Sequence, residues 1–459
     1  MSIIDVLLGS LGQAFLSTLA SSLLGLLLAW LLMHAPQGHF KTFFQESLLI
    51  FFMIPSITLV LSLLYTGKNF GGTNFYGLAG IVICHTFLNA PFMARSLLYT
   101  YQTIPTVFWR ESQHLDLGIF LRFRCLEWPF LKIVFLKTAG LILVLCLVSF
   151  SIPLMLSKNL HALSLSLALY SELILEADPA RAFLYIVPFI ILVTFMAYLN
   201  HFLIKEVPSP SIRAYLHTKK NFFYSFLLGV FATVLMLPLI LGLLSFLSRE
   251  TLFLLKDATL LEACKNSFLI ALTAAGGSSL LALLLVLIMP SKVFPLVQLI
   301  LSIFLLPSFV IGGFLIIGAG TFFDDYAVLM TLLLHILIPL PFTVQILKSR
   351  LTRLQRQNEP LVLMLRLTFV RAIRVIYLPQ IKKDLLSVFA LSAVFSLGDI
   401  GAAALFGGAF ETLPSLILGC FRTFDLERGM AFSYILLFSM GLFLLPNLWI
   451  RKGRMNAVL

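Results

Sequence analysis

Two stretches decide how this chain is read: residues 76–92, YGLAGIVICHTFLNAPF, and residues 326–342, YAVLMTLLLHILIPLPF. Tyr76, His85, Pro91 and Phe92 answer Tyr326, His335, Pro341 and Phe342, each 250 places later. Pro129 and Pro379 keep that spacing, and Ile54-Pro55-Ser56 answers Leu306-Pro307-Ser308 at 252. Apolar segments resemble one another by chance, but a histidine and two prolines held at one spacing do not. We read the chain as an internal duplication.

The surrounding sequence says what was duplicated. Of 459 residues, 60% are hydrophobic and 11% charged, with a mean hydropathy of +1.03. Soluble domains are about 45–50% apolar and about 25% charged, so this is an all-α polytopic membrane protein. Continuous apolar runs exclude a transmembrane β-barrel, whose strands alternate every second residue. Eleven spans are expected, at 12–33, 47–66, 77–101, 133–156, 181–204, 222–247, 264–289, 295–319, 326–347, 384–407 and 430–450. Taking alternate loops, one set carries 22 Lys and Arg and the other 6. The positive-inside rule puts the basic set in the cytoplasm, the N-terminus outside and the C-terminus inside. That asymmetry accounts for the +12 net charge without nucleic acid. No basic region precedes the first apolar run, so no cleavable signal peptide is expected.

The spans of His85 and His335 are six crossings apart, so the halves share one orientation and form a parallel repeat. The expected division is a first half at 9–204, a polar linker at 205–221 and a second half at 222–459. Pro91 and Pro341 are expected to bend equivalent helices.

The long basic loops 102–132 and 348–383 follow equivalent spans, and each ends at a proline opening the next, Pro129 or Pro379. Their matched position points to a docking segment in each half. They occupy the place of the coupling loops in permeases of binding-protein-dependent ABC importers, which the chain resembles. That family's pattern is Glu-Ala-Ala, three residues, Gly, then thirteen places on to a proline. Here Asp116 and Arg366 stand where the glycine would fall, and Gly118 comes two places later in the first loop. Arg110 and Pro360 stand at the family's Glu, with Glu111 and Glu359 beside them. The resemblance implies that these loops, with Glu111, Gly118, Pro129, Glu359, Arg371, Arg374 and Pro379, meet ATPase subunits.

The runs YGLAGIVICHTFLNAP (76–91), EWPFLK (127–132), DPARA (178–182) and SLGDIGAAALFG (396–407) narrow the match. They resemble the fused, double-length permeases of thiamine ABC importers. That resemblance implies two copies of an ATPase subunit, a periplasmic substrate-binding protein, and thiamine or its phosphates as the small-molecule substrate. It also implies six spans per half, one more than the first half offers. Related fused permeases carry ferric iron or other small solutes, and that alternative stays open.

No G-x-x-x-x-G-K-[ST] phosphate loop occurs, so any ATP used is expected to be bound by a separate subunit. No H-E-x-x-H or G-x-S-x-G motif appears, and the five cysteines (Cys84, Cys125, Cys146, Cys264, Cys420) have no metal spacing. Neither enzymatic activity nor a bound cofactor or metal is expected. Polar groups at membrane depth are costly and often functional. His85, His335 and Asp399 are therefore candidates for a translocation path, while Asp178 and Arg181 suit a local ion pair or cap. An ion-coupled secondary transporter would want paired intramembrane carboxylates at matched positions, and Asp399 has no acidic mate near Phe150.

Overall fold

The structure, a computed structural model, describes residues 3–36, 38–69, 75–101, 103–157, 164–176, 178–202, 222–246, 257–289, 293–301, 304, 306–319, 323–408 and 410–456. All regular structure among them is helical. The expected linker 205–221 lies outside the described residues. The chain divides into two compact units, Met1–Ser245 and Phe246–Leu459.

The first unit holds α1 (Ile3–His34), α2 (His39–Met53), α3 (Ser56–Asn69), α4 (Leu78–Tyr101), α5 (Thr106–His114) and α6 (Ile119–Arg122). A wide π turn, Phe123–Glu127, then leads into α7 (Trp128–Val148). It continues with α8 (Ser151–Leu156), α9 (Leu165–Tyr170), α10 (Pro179–Phe202) and α11 (Phe222–Phe246). The second unit holds α12 (Ala258–Ile288), α13 (Phe294–Leu301), α14 (Ser308–Ala319), α15 (Phe323–Leu337), α16 (Leu340–Met364) and α17 (Phe369–Ala372). Its π turn, Ile373–Tyr377, leads into α18 (Leu378–Leu397), followed by α19 (Ile400–Phe406), α20 (Leu413–Arg422) and α21 (Leu426–Asn456).

Seven helices among the described residues are long and apolar enough to span a membrane, and a bent pair makes eight. Three of the eleven expected spans, 47–66, 181–204 and 295–319, fall outside that count, and two of them are broken. Span 47–66 breaks between α2 and α3 at Pro55, and span 295–319 breaks between α13 and α14 at Pro307. A proline removes one helical hydrogen bond and forces its predecessor extended; Ile54, at ψ 129°, is extended.

Small residues set the close packing. In the first unit α1 lies along α4, burying Ser10, Ala14, Ser17, Ser21 and Gly25. A Cβ on Gly25 would stand 2.5 Å from Met93 Cβ and 2.8 Å from the Ala90 carbonyl, the kind of approach that only small residues permit between membrane helices. The opposite face of α1 exposes Leu8, Phe15, Leu19 and Leu23. In the second unit α12 packs along α18 in the same manner, with Ser278 and Ser392 hydroxyls 3.4 Å apart. Ser10 Oγ accepts from Leu165 N at 2.8 Å, and Ser267 Oγ accepts from Leu413 N at the same distance. These twin bonds identify α12 as the mate of α1 and α20 as the mate of α9.

The loops repeat in finer detail. Asp116 and Arg366, 250 apart, both adopt φ 45°. Around them Leu115 N bonds Glu111 O and Leu117 N bonds Ser112 O; Leu365 N bonds Leu361 O and Leu367 N bonds Val362 O. Each is a helix C-terminus closed by one left-handed residue, a place that glycine usually takes. The position where the family pattern has glycine therefore keeps glycine's conformation without the glycine. Gly118 itself has φ −56° and caps α6. A left-handed L-residue costs about 1 kcal/mol, so Asp116→Gly and Arg366→Gly should each stabilise by up to about 1 kcal/mol, read as a raised melting temperature in detergent.

Each π turn ends two residues before Pro129 or Pro379. Proline cannot donate to the carbonyl four residues back and crowds it, and a widened turn accommodates both. The units differ where prolines differ. Pro105 starts the separate helix α5, whereas its mate Gln355 lies inside a continuous α16. Conversely α4 runs unbroken through Pro91, while Ile338 and Pro339 separate α15 from α16. Of the two prolines expected to bend equivalent helices, Pro341 follows a helix interruption and Pro91 does not, and only the second unit has the additional Pro339.

Candidate functional site

The second unit brings two of the candidate path residues together. α18 ends at Leu397, Gly398 and Asp399 turn the chain, and α19 departs at 45°. A helix broken there leaves its first amides unpaired, and Asp399 supplies the cap. Its Oδ1 accepts from Gly401 N at 2.9 Å, from Ala402 N at 3.4 Å and from Ser308 Oγ of α14 at 2.5 Å. Its Oδ2 faces His335 Nε2 of α15 at 3.3 Å, and neither atom has a hydrogen bond among the described residues. His335 Nδ1 lies 2.8 Å from Ser396 Oγ, one turn before the break on α18.

One carboxylate therefore ties α14, α15 and the broken α18–α19 pair. Beside it is a cavity of about 20 Å³, lined also by Ser267, Thr331 and Phe406, with room for a single water. His335 and Asp399 are nearly buried, with side-chain exposures of 8% and 14%. The arrangement places an imidazole and a carboxylate side by side next to a helix break.

The first unit has the same scaffold without the charge. Its break, between α7 and α8, carries Ser149 where the second has Asp399, and Cys146 where the second has Ser396. His85 is buried on α4, its Nε2 without a hydrogen-bond partner among the described residues. Ser56, the mate of Ser308, shares a 2.6 Å hydrogen bond with Ser151, whose mate is Gly401. The repeat thus joins equivalent helices by two hydroxyls in one unit and by a hydroxyl and a carboxylate in the other.

Asp178 and Arg181 form a local arrangement, as the sequence suggested. Asp178 Oδ1 accepts from Ala180 N and Arg181 N at the start of α10, and its Oδ2 lies 3.3 Å from Arg181 Nε.

The candidate coupling residues Glu111, Gly118 and Pro129 are exposed in the first unit; Glu359, Arg371, Arg374 and Pro379 are exposed in the second. Apolar neighbours are exposed with them at matched positions, Leu115 with Leu365 and Phe120 with Val370. Spacing did not reveal the pairing of His335 with Asp399, nor Ser308 and Ser396. The one available signal was the Gly-Asp-Ile-Gly run, a helix interruption whose Asp suits an N-cap.

These features define an all-α, multi-pass membrane protein of two repeated units, each offering an exposed loop of one common geometry. No protein-family model matches the chain, and no solved structure does. Curated relatives do match. The thiamine transport system permease protein ThiP of Brucella suis is 29% identical over 384 residues, covering 78% of this chain and 69% of that protein. The ThiP of Escherichia coli is 26% identical over 381 residues, covering 79% and 71%. That of Haemophilus influenzae is 27% identical over 453 residues, covering 92% and 84%. Over most of its length the chain is similar to thiamine transport permeases.

Proposed function

We propose that the chain is the inner-membrane permease of an ATP-driven, binding-protein-dependent importer of thiamine or its phosphates. It is a transport subunit and not an enzyme, and hydrolysis of ATP falls to two copies of a separate subunit. A periplasmic binding protein delivers the substrate. The halves at 9–204 and 222–459 form the translocation path, with His85, His335 and Asp399 along it, and the C-terminus is cytoplasmic.

The observation that supports this reading best is the paired loop geometry. Two left-handed residues, two π turns and two exposed apolar ridges recur 250 residues apart, as a permease served by two identical ATPase subunits requires. Exposed apolar surface rimmed by charge marks a protein interface.

Reconstitution with its ATPase and binding protein tests the function. Labelled thiamine should accumulate in proteoliposomes only with ATP; ATP-driven uptake of iron or another solute, and not thiamine, would replace the substrate. Reversing charge at Arg371→Glu and Arg374→Glu should weaken ATPase association roughly tenfold or more while leaving membrane insertion unchanged, as read by co-purification. Undiminished association would remove these two residues from the docking surface.

A further inference from the structure

A second buried carboxylate lies outside the site described above. Glu127 closes the π turn between α6 and α7 and is fully buried. Tyr101 Oη, at the end of α4, donates to Glu127 Oε2 at 2.7 Å. Arg122 Nε, at the end of α6, donates to Oε1 at 3.3 Å. His34 Nε2, the last residue of α1, lies 3.3 Å from the same oxygen. His34 Nδ1 is 2.9 Å from the Trp30 carbonyl. Both ring nitrogens thus face oxygen atoms, which holds the ring between Trp30 and Glu127.

The cluster reaches the docking loop. Trp109 of α5 is buried with its ring 6.4 Å from that of His34. On the other side, Tyr224 of α11 stands edge-on to Trp30 at 5.3 Å. Next to it, Lys41 Nζ donates to the Ala35 carbonyl at 2.7 Å, just beyond the end of α1; burial pulls that ammonium down to about 8.

Among the described residues the second unit has no equivalent. The mates of Tyr101, Arg122 and Glu127 are Leu351, Ala372 and Tyr377. The mates of Trp109 and Glu127, Glu359 and Tyr377, line an open groove of about 470 Å³. Nearby, Arg350 Nε donates to Asp384 Oδ2 at 3.0 Å and joins the start of the second loop, on α16, to α18.

We propose that Glu127 is a positioning residue that fastens the first coupling loop to the ends of α1 and α4, so that the two loops transmit unequally. A displacement of α5 by its ATPase passes through Trp109, His34 and Glu127 into α1. The second loop has no such carboxylate tie and is joined to its bundle by the continuous α16 and by apolar packing of Leu351, Leu354 and Tyr377 against α12 and α18. A buried carboxylate suits this task because its partners are hard to exchange: removing one strands the others in a dry site.

This inference rests on the docking role of the loops, and the test separates the two. Hydrogen exchange is measured on the full complex with and without a non-hydrolysable ATP analogue, for the wild type, Glu127→Gln and Tyr101→Phe. In the wild type, nucleotide should change protection both in α5 and at 28–35 of α1. In Glu127→Gln the α5 response should remain and the α1 response disappear, and Tyr101→Phe should weaken it. Tyr377→Phe, the mate position, should leave both responses intact. An α1 response that persists in Glu127→Gln overturns the proposal. If that variant fails to assemble, an assembled Tyr101→Phe complex with a full α1 response overturns it equally. No nucleotide response in α5 of the wild type overturns the docking role, and this proposal with it.

Discussion

Replacing Asp399 with alanine should destabilise the protein by about 3 kcal/mol, whereas replacing it with asparagine should cost no more than about 1 kcal/mol. Alanine removes the cap of α19, worth about 1 kcal/mol. It also strands the buried Ser308 hydroxyl and His335, at about 1–3 kcal/mol for each group left unpaired. Asparagine keeps an oxygen for Gly401 N, Ala402 N and Ser308, the three donors that now converge on Oδ1. Its amide can donate to a neutral His335. Thermal unfolding in detergent measures the difference. Thiamine uptake by Asp399→Asn at normal protein levels then separates charge from architecture, and unchanged uptake would leave Asp399 only its capping role.

The second large effect is expected at Gly401. A Cβ there would overlap Ser308 Oγ and press on Phe309 N at 3.1 Å, so Gly401→Ser should cost about 2–3 kcal/mol. The first unit nevertheless holds a serine at the mate position, bonded to Ser56. What differs is residue 399, whose carboxylate holds the Ser308 hydroxyl in place. With Asp399→Ser added, Ser308 can turn to the new hydroxyl as Ser56 does. The double variant should then be more stable than the summed single effects by about 0.5–2 kcal/mol, as neighbouring sites that share a partner allow. Strict additivity in the melting data would mean that the two linkages are not interchangeable.

The sequence carries much of this, but unevenly. The duplication was legible because prolines and a histidine are rare enough in apolar segments for their spacing to stand out. The loops were legible because basic residues collect on one side of the membrane. The glycine position was visible only as a departure, Asp116 and Arg366 where glycine belongs, and the left-handed backbone that both share cannot be read from residue types that tolerate it poorly. The His335–Asp399 pairing was hidden for another reason. Helices that are apolar all round have no stripe to show which face turns inward. Knowing that His335 and Asp399 sit at membrane depth therefore does not say that α15 and α18 turn them toward each other. Glu127 was hidden too, since its three partners come from 93, 26 and 5 residues away.

The spacing between mates has a history of its own. It is 257 at Ser10 and Ser267, 252 at Ser56 and Ser308, and 248 at Leu165 and Leu413. From Tyr76 to Ser151 it stays at 250. Since the duplication, residues have been gained or lost on both sides of this stretch, with no net change in length within it. Inside it, the left-handed positions hold Asp in one unit and Arg in the other, Glu127 answers Tyr377, and the separate α5 answers part of a continuous α16. Composition drifted there while length did not, because one added residue would turn every following side chain by about 100°. Such a turn would carry the histidine, the left-handed residue and the proline out of phase together. For grafting or shortening these halves, residue count across 76–151 and 326–401 is the quantity to preserve, ahead of residue identity.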